Sequence, residues 1–179
     1  VSFGPGGQVL AGTRERGVLF SPDRGRTWTP GPGGNVQGVA VGADGSLWAG
    51  LWEGGLRVST DGGASWRPRP FAHVGHVADM AFSGSGRGFA VLVGLGLLAT
   101  ADNGANWTQA ELPVRPARDV RLALDRDGRL FAASPREGLF VSADNGATWA
   151  RDKQGLPDGG VMAVAAAPGG VTLAIPGDG

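Results

Sequence analysis

Apolar residues in this chain come in short runs broken by glycine-rich polar stretches at near-regular intervals. The runs "VQGVAV" (36–41), "VADMAF" (77–82), "DVRLAL" (119–124) and "VMAVAA" (161–166) align without gaps and share an alanine column, Ala40, Ala81, Ala123 and Ala165. A glycine turn follows, then a second apolar run ("SLWAGL", "GFAVLV", "RLFAAS"). After a short loop comes a third ("GVLFS", "GLRVS", "GLLAT", "GLFVS"), and then a weaker, partly proline-bearing fourth. Runs this short, turn-bounded and partly alternating predict strands, and no segment predicts a helix. The alanine column suits an innermost strand, where neighbouring units crowd.

Between the third and fourth runs an octet recurs: "SPDRGRTW", "STDGGASW", "TADNGANW" and "SADNGATW". Its tryptophans, Trp28, Trp66, Trp107 and Trp149, are 38, 41 and 42 residues apart, and each lies 21 residues after a turn glycine (Gly7, Gly45, Gly86, Gly128). A constant internal length with variable connectors describes one rigid unit repeated. Four antiparallel strands per roughly 40 residues is the period of β-propeller blades. The expected fold is all-β, a single propeller segment over 1–179. Its blades fall at approximately 1–35, 36–76, 77–118 and 119–160, with a half blade at 161–179. Val1 aligns with Val39 and Gly170 opens a fifth unit. The two ends together do not make up one blade, so a missing segment or a second chain is expected to complete the ring.

The octet S/T-x-D-x-G-x-x-W resembles the Asp-box, or BNR, repeat of sialidases and of several non-enzymatic propellers. Its four copies are Ser21, Asp23, Gly25, Trp28; Ser59, Asp61, Gly63, Trp66; Thr100, Asp102, Gly104, Trp107; and Ser142, Asp144, Gly146, Trp149. The aspartate is suited to accept turn N–H groups. The glycine suits positive φ, which Asn103 and Asn145 just before it also tolerate. The tryptophan is expected to wedge between blades with its N–H near a backbone partner. One carboxylate per octet is too few for Ca²⁺, which takes six or more oxygens.

Composition narrows the chemistry. Formal net charge is zero, which argues against a nucleic-acid partner. No apolar run is long enough for a membrane span. There is no Cys and no Tyr, and Lys153 is the sole lysine. No cofactor fingerprint appears. His73, His76 and Asp79 form H-x-x-H-x-x-D, but on a connector running into a strand the three need not converge, and no metal is expected.

Antiparallel blades place the octets and inner glycine turns on one face. The opposite face carries the loops between second and third strands and the inter-blade connectors. Near the axis, that is where the resembling propellers bind. The candidate residues there are Arg14, Glu15, Arg16, Trp52, Glu53, Arg115, Arg118, Arg136 and Glu137. They read either as a partner-binding rim or as solvated charges pairing with one another, with the glutamates as caps for backbone N–H groups. Trp48 reads as core; Trp52, in a loop, is the candidate for sugar stacking or partner contact.

The resemblance implies two functions. One is a non-catalytic scaffold that binds a protein or peptide on an arginine-bearing face, similar to photosystem II assembly factor-type and other Asp-box propellers. The alternative is a fragment of a glycoside hydrolase-like propeller acting on a glycan, which needs two carboxyl groups at a defined separation. The acids left for that role are Glu15, Glu53, Glu137, Asp79 and Asp119. Sialidase chemistry uses a tyrosine nucleophile that this chain lacks. A secreted or periplasmic location follows from the resemblance alone.

Overall fold

The computed structural model describes residues 1–4, 6–69, 75–153, 159–166 and 172–176, the last of these as backbone. Among them the regular elements are strands, and no helix occurs. The first antiparallel sheet holds β1 (Ser2–Phe3), β2 (Val9–Gly12), β3 (Val18–Ser21) and β4 (Thr29–Pro30) in sequential order. The second holds β5 (Val36–Val41), β6 (Leu47–Leu51), β7 (Leu56–Ser59) and β8 (Arg67–Arg69). The third holds β9 (Val77–Phe82), β10 (Gly88–Leu92), β11 (Gly96–Thr100) and β12 (Thr108–Ala110). The fourth holds β13 (Arg121–Leu124), β14 (Leu130–Ser134), β15 (Gly138–Ser142) and β16 (Ala150–Asp152). A hairpin of β17 (Val161–Ala166) and β18 (Thr172–Pro176) follows.

The turn glycines close the first hairpin of every sheet. Gly45, Gly86 and Gly128 have φ of 80°, 82° and 83°, in the left-handed region that glycine enters without a Cβ penalty. Each donates its N–H to the carbonyl three residues back, as in Gly45 to Gly42 at 3.0 Å.

The sheets stack face to face through four apolar layers. Leu10, Val18 and Phe20 meet Val39 and Leu47 between the first and second sheets. Trp48, Leu56 and Val58 meet Val77, Met80 and Ala90 in the next layer. Phe89, Val91 and Leu97 then meet Leu122 and Leu130, and Phe131 and Leu139 meet Val161. Every residue of β6, β10 and β14 is buried, because these second strands are sandwiched on both faces. Burying apolar surface this way is the main stabilising term. First strands of successive sheets adjoin around a central space of about 840 Å³, and the alanine column Ala40, Ala81, Ala123 and Ala165 lines it. Contact there is tight: a Cβ built on Gly38 would stand 2.9 Å from Asp79 Cα.

The octets form the turn between third and fourth strands. Ser21 Oγ donates to Asp23 Oδ1 (2.8 Å) and accepts the Gly25 N–H (2.8 Å). Asp23 accepts the Thr27 N–H at 2.8 Å and the Thr27 hydroxyl at 2.6 Å. Ser65, Asn106 and Thr148 repeat that side-chain donation to Asp61, Asp102 and Asp144. This polar position just before the tryptophan is a part of the repeat that the eight-residue pattern leaves unspecified. These bonds hold all four carboxyls well below the usual range, at about 2.

The tryptophans divide. Trp28, Trp66 and Trp107 donate their indole N–H to the glycine carbonyl of their own octet at 3.1–3.2 Å, whereas Trp149 donates to the backbone carbonyl of Glu111, just past β12. Trp66, Trp107 and Trp149 pack against the apolar layer they share with the sheet before them. Trp28 departs from the expected wedge and is 43% exposed. No sheet among the described residues lies on its side of the first one.

Candidate functional site

The end of the sheets opposite the octets is assembled from three kinds of segment. They are the loops between second and third strands, the connectors, and the entries of the inner strands. Backbone bonds tie them together. Val36 N–H donates to Thr13 O, Trp52 N–H to Asn35 O, Val93 N–H to His76 O and Gly94 N–H to Pro116 O, all at 2.8–3.0 Å. Loop and connector therefore form one surface.

At its centre three sheets contribute one residue each. Trp52 follows β6, His76 precedes β9, and Arg118 lies on the connector into β13. The His76 ring stacks on Trp52 with centroids 4.4 Å apart and planes at 10°. The Arg118 guanidinium lies over the same indole at 5.5 Å. His76 Nδ1 meets the Trp52 backbone oxygen, an acceptor, and so donates to it. Trp52 is half-buried, while His76 and Arg118 are exposed. Leu95, 43% exposed in its Gly-Leu-Gly loop, packs towards Gly75 beside this group. A large apolar residue between two glycines is the signal that would have marked it.

Glu137 lies on the fourth sheet's loop, and its carboxylate accepts the Arg115 N–H at 3.2 Å. Its geometry is that of a cap on the neighbouring connector. Arg121 Nη1 donates to the carbonyls of Arg118 (3.1 Å) and Val120 (2.9 Å) and so braces the connector that carries Arg118. Arg14, Glu15 and Arg16 form a separate exposed cluster on the first sheet's loop; Glu53 and Arg136 are also exposed. Among the described residues the ion pair present is Arg129 with Asp125, in an inner turn on the other face. The loop-face arginines are therefore not neutralised by partners within the described chain.

The proposed H-x-x-H-x-x-D grouping divides. His73 lies outside the described residues. His76 stacks on Trp52, and Asp79 turns its carboxylate to the Met80 and Leu122 N–H groups, each at 2.9 Å. Among the described residues no three metal-ligating side chains cluster. No helix among them is long and apolar enough to cross a membrane. Trp48 is core, 1% exposed, with its indole N–H donating to Ser46 Oγ at 2.9 Å.

No protein-family model and no curated protein matches this chain. Solved structures do. YCF48 bound to D1 peptide is similar over 96% of this chain and 59% of that one, at 18% identity and a TM-score of 0.69. An ancestral GH74 enzyme is similar over 94% of this chain and 26% of that one, at 21% identity and a TM-score of 0.73. Virginiamycin B lyase from Staphylococcus aureus is similar over 97% of this chain and 61% of that one, at 14% identity and a TM-score of 0.69. The chain thus spans from about a quarter to about three-fifths of the length of these proteins. With the stacked four-stranded sheets, these likenesses identify the fold as β-propeller.

Proposed function

We propose that this chain is a non-catalytic propeller segment that binds a protein partner, through an acidic peptide stretch, on the face carrying Trp52, His76 and Arg118. The observation that carries this reading is the convergence of those three side chains from three sheets, amid loop-face arginines that form no ion pair among the described residues. An arginine offers paired N–H donors to a carboxylate, and an aromatic beside it supplies contact area at low entropic cost. The similar fold of a protein solved with a bound peptide supports it. The octets serve as structural corners in this reading, and the exposed Trp28 face of the first sheet takes a further blade from another segment or chain.

The similarity to GH74 enzymes favours a second reading, a glycosidase fragment. Two of its five possible acids are already committed. Glu137 accepts the Arg115 N–H, and Asp79 accepts two backbone N–H groups. The Trp52 ring is covered by His76 and Arg118, which leaves it poorly placed as a sugar platform.

Peptide-array and glycan-array binding with the whole chain separates the two. The scaffold reading expects acidic peptides to be retained, with loss in Arg118→Glu and Trp52→Ala while the fold is kept. Retention of β-glucans without peptides, dependent on Glu15, Glu53 or Asp119, would overturn it.

A further inference from the structure

The sequence Ala-Asp-Asn-Gly-Ala occurs twice in the chain, at 101–105 and 143–147, each time inside an octet. An asparagine followed by glycine is the pairing most open to deamidation, because no side chain on the glycine blocks its nitrogen from attacking the asparagine amide. With the same residues around them, Asn103 and Asn145 should react alike in an unfolded chain. A difference between them in the native protein then comes from the fold.

The octet restrains both in the same way. Asn103 and Asn145 have φ of 54° and 64°, and the N–H that follows each is held by the hydroxyl that opens the octet. Gly104 N–H donates to Thr100 Oγ1 at 2.9 Å, and Gly146 N–H to Ser142 Oγ at 2.8 Å. The attacking nitrogen is therefore occupied until the corner opens. The surroundings differ. Gly104 sits against the Trp48 ring, Asn103 is half-buried, and its Oδ1 is buried without a hydrogen-bond partner among the described residues. Asn145 is exposed, and a Cβ on Gly146 would stand 3.4 Å from its nearest neighbour, Leu97. Its Oδ1 accepts a 2.7 Å bond from Nη1 of Arg87, an exposed residue just before β10 of the third sheet. A guanidinium there draws electrons from the amide carbon. It also faces the negative charge that grows on Oδ1 as the nitrogen attacks, as an oxyanion-stabilising donor does.

We propose that Asn145 is a site of spontaneous deamidation, restrained by the Ser142 hydroxyl and favoured over Asn103 by Arg87. The Gly146 nitrogen gives its proton to solvent and attacks Asn145 Cγ. The N–Cγ bond forms, the Cγ–Nδ2 bond breaks, and Nδ2 takes up a proton and leaves as ammonia, giving a succinimide. Water then opens the ring at one carbonyl or the other, to aspartate or isoaspartate. One water is consumed and one ammonia released, and nothing is oxidised or reduced. Aspartate keeps the octet backbone and sets a carboxylate against Arg87, so the bond across the joint between third and fourth sheets becomes an ion pair. Isoaspartate inserts a backbone carbon into the corner. This chemistry does not depend on the loop-face reading.

Incubation of the whole folded chain in mildly alkaline buffer, then tryptic digestion and mass spectrometry, tests it. Arg136 and Arg151 bound a peptide in which Asn145 is the sole asparagine, and fragmentation separates Asn103 from Asn106 in the other. The expected result is deamidation several-fold faster at Asn145 than at Asn103 in the native protein, and equal rates in the urea-unfolded chain. Arg87→Met should slow Asn145 several-fold when folded and leave it unchanged in urea, while Ser142→Ala should speed it. Native rates that are equal, or faster at Asn103, overturn the site. Unequal rates in urea do so too, because they place the difference in the sequence. An unchanged native rate at Asn145 in Arg87→Met removes Arg87 from the reaction, and an unchanged one in Ser142→Ala removes the restraint. Should Arg87→Met fail to fold, Arg87→Gln takes its place, and the Asn145–Asn103 comparison in the parent still decides the site.

Discussion

The four octet aspartates owe their low pKa values to hydrogen bonds at exposed turns. Asp102, for example, accepts the Asn106 backbone N–H first and its side-chain amide second, and is held at about 2 against an ordinary 3.8. A carboxyl lowered on folding contributes stability that is present above the ordinary value and is lost as pH falls through the folded one. Asp79 runs the other way. Raised to about 6, its contribution is fully present below 3.8 and is lost as pH rises through 6, so its ionised form costs stability at neutral pH. The melting temperature should therefore change little or rise slightly as pH falls from 6 to 3.8, then drop steeply towards 2. Asp102→Ala should lower the melting temperature at neutral pH and flatten the acid limb, as thermal denaturation across pH would read. An acid limb as steep in Asp102→Ala as in the parent would place its origin elsewhere.

At the scale of the joint between sheets, the same corner residue does different work depending on what stands beside it. Gly25 and Gly104 have φ of 84° and 79°, so alanine at either position pays about 1–2 kcal/mol for left-handed backbone. A Cβ on Gly25 meets only Trp28, at 3.6 Å, whereas one on Gly104 stands 2.4 Å from the Trp48 ring of the preceding sheet. That ring cannot retreat easily, because it stacks on Phe82 at 5.3 Å and meets Trp107 edge-on at 6.1 Å. Gly104→Ala should thus cost about 1–3 kcal/mol more than Gly25→Ala, measured by urea denaturation; equal costs would mean the joint yields. The strands and octets that build these joints were legible in the sequence because local physics fixes them: period-two runs, turn glycines and a short-range carboxylate network. The exposure of Trp28 was not, since it depends on which sheet lies next to it. Nor was the Trp52–His76–Arg118 contact, whose members are 24 and 42 residues apart and meet only when three sheets are stacked. Glu137 could be read as a partner residue or as a cap, and its bond to the Arg115 N–H is that of a cap.

Across the described molecule, the main contacts between sheets join sequence neighbours, so stability is close to a sum of sheet and joint terms. An interior sheet must break two apolar layers to open, and a terminal one only one. The burial pattern follows this rule. β6, β10 and β14 are buried along their full length, β2 loses cover over its second half, and β17 leaves Met162 53% exposed. Native-state hydrogen exchange in low urea should then show opening from the ends inward. Amides of β2 and β17 should exchange through small openings, and those of β6 and β10 only through the largest. A single shared opening energy for all of them would show that the joints are too strong for the sheets to act separately. The placement of the candidate site gives this ordering a functional consequence. Trp52, His76 and Arg118 belong to the second, third and fourth sheets, so the group that would hold a partner spans the two joints expected to open last. Peptide binding should therefore persist at urea concentrations that already free the amides of β2 and β17. Loss of binding in step with those end strands would mean that the loop face is held by the terminal sheets and not by the interior ones.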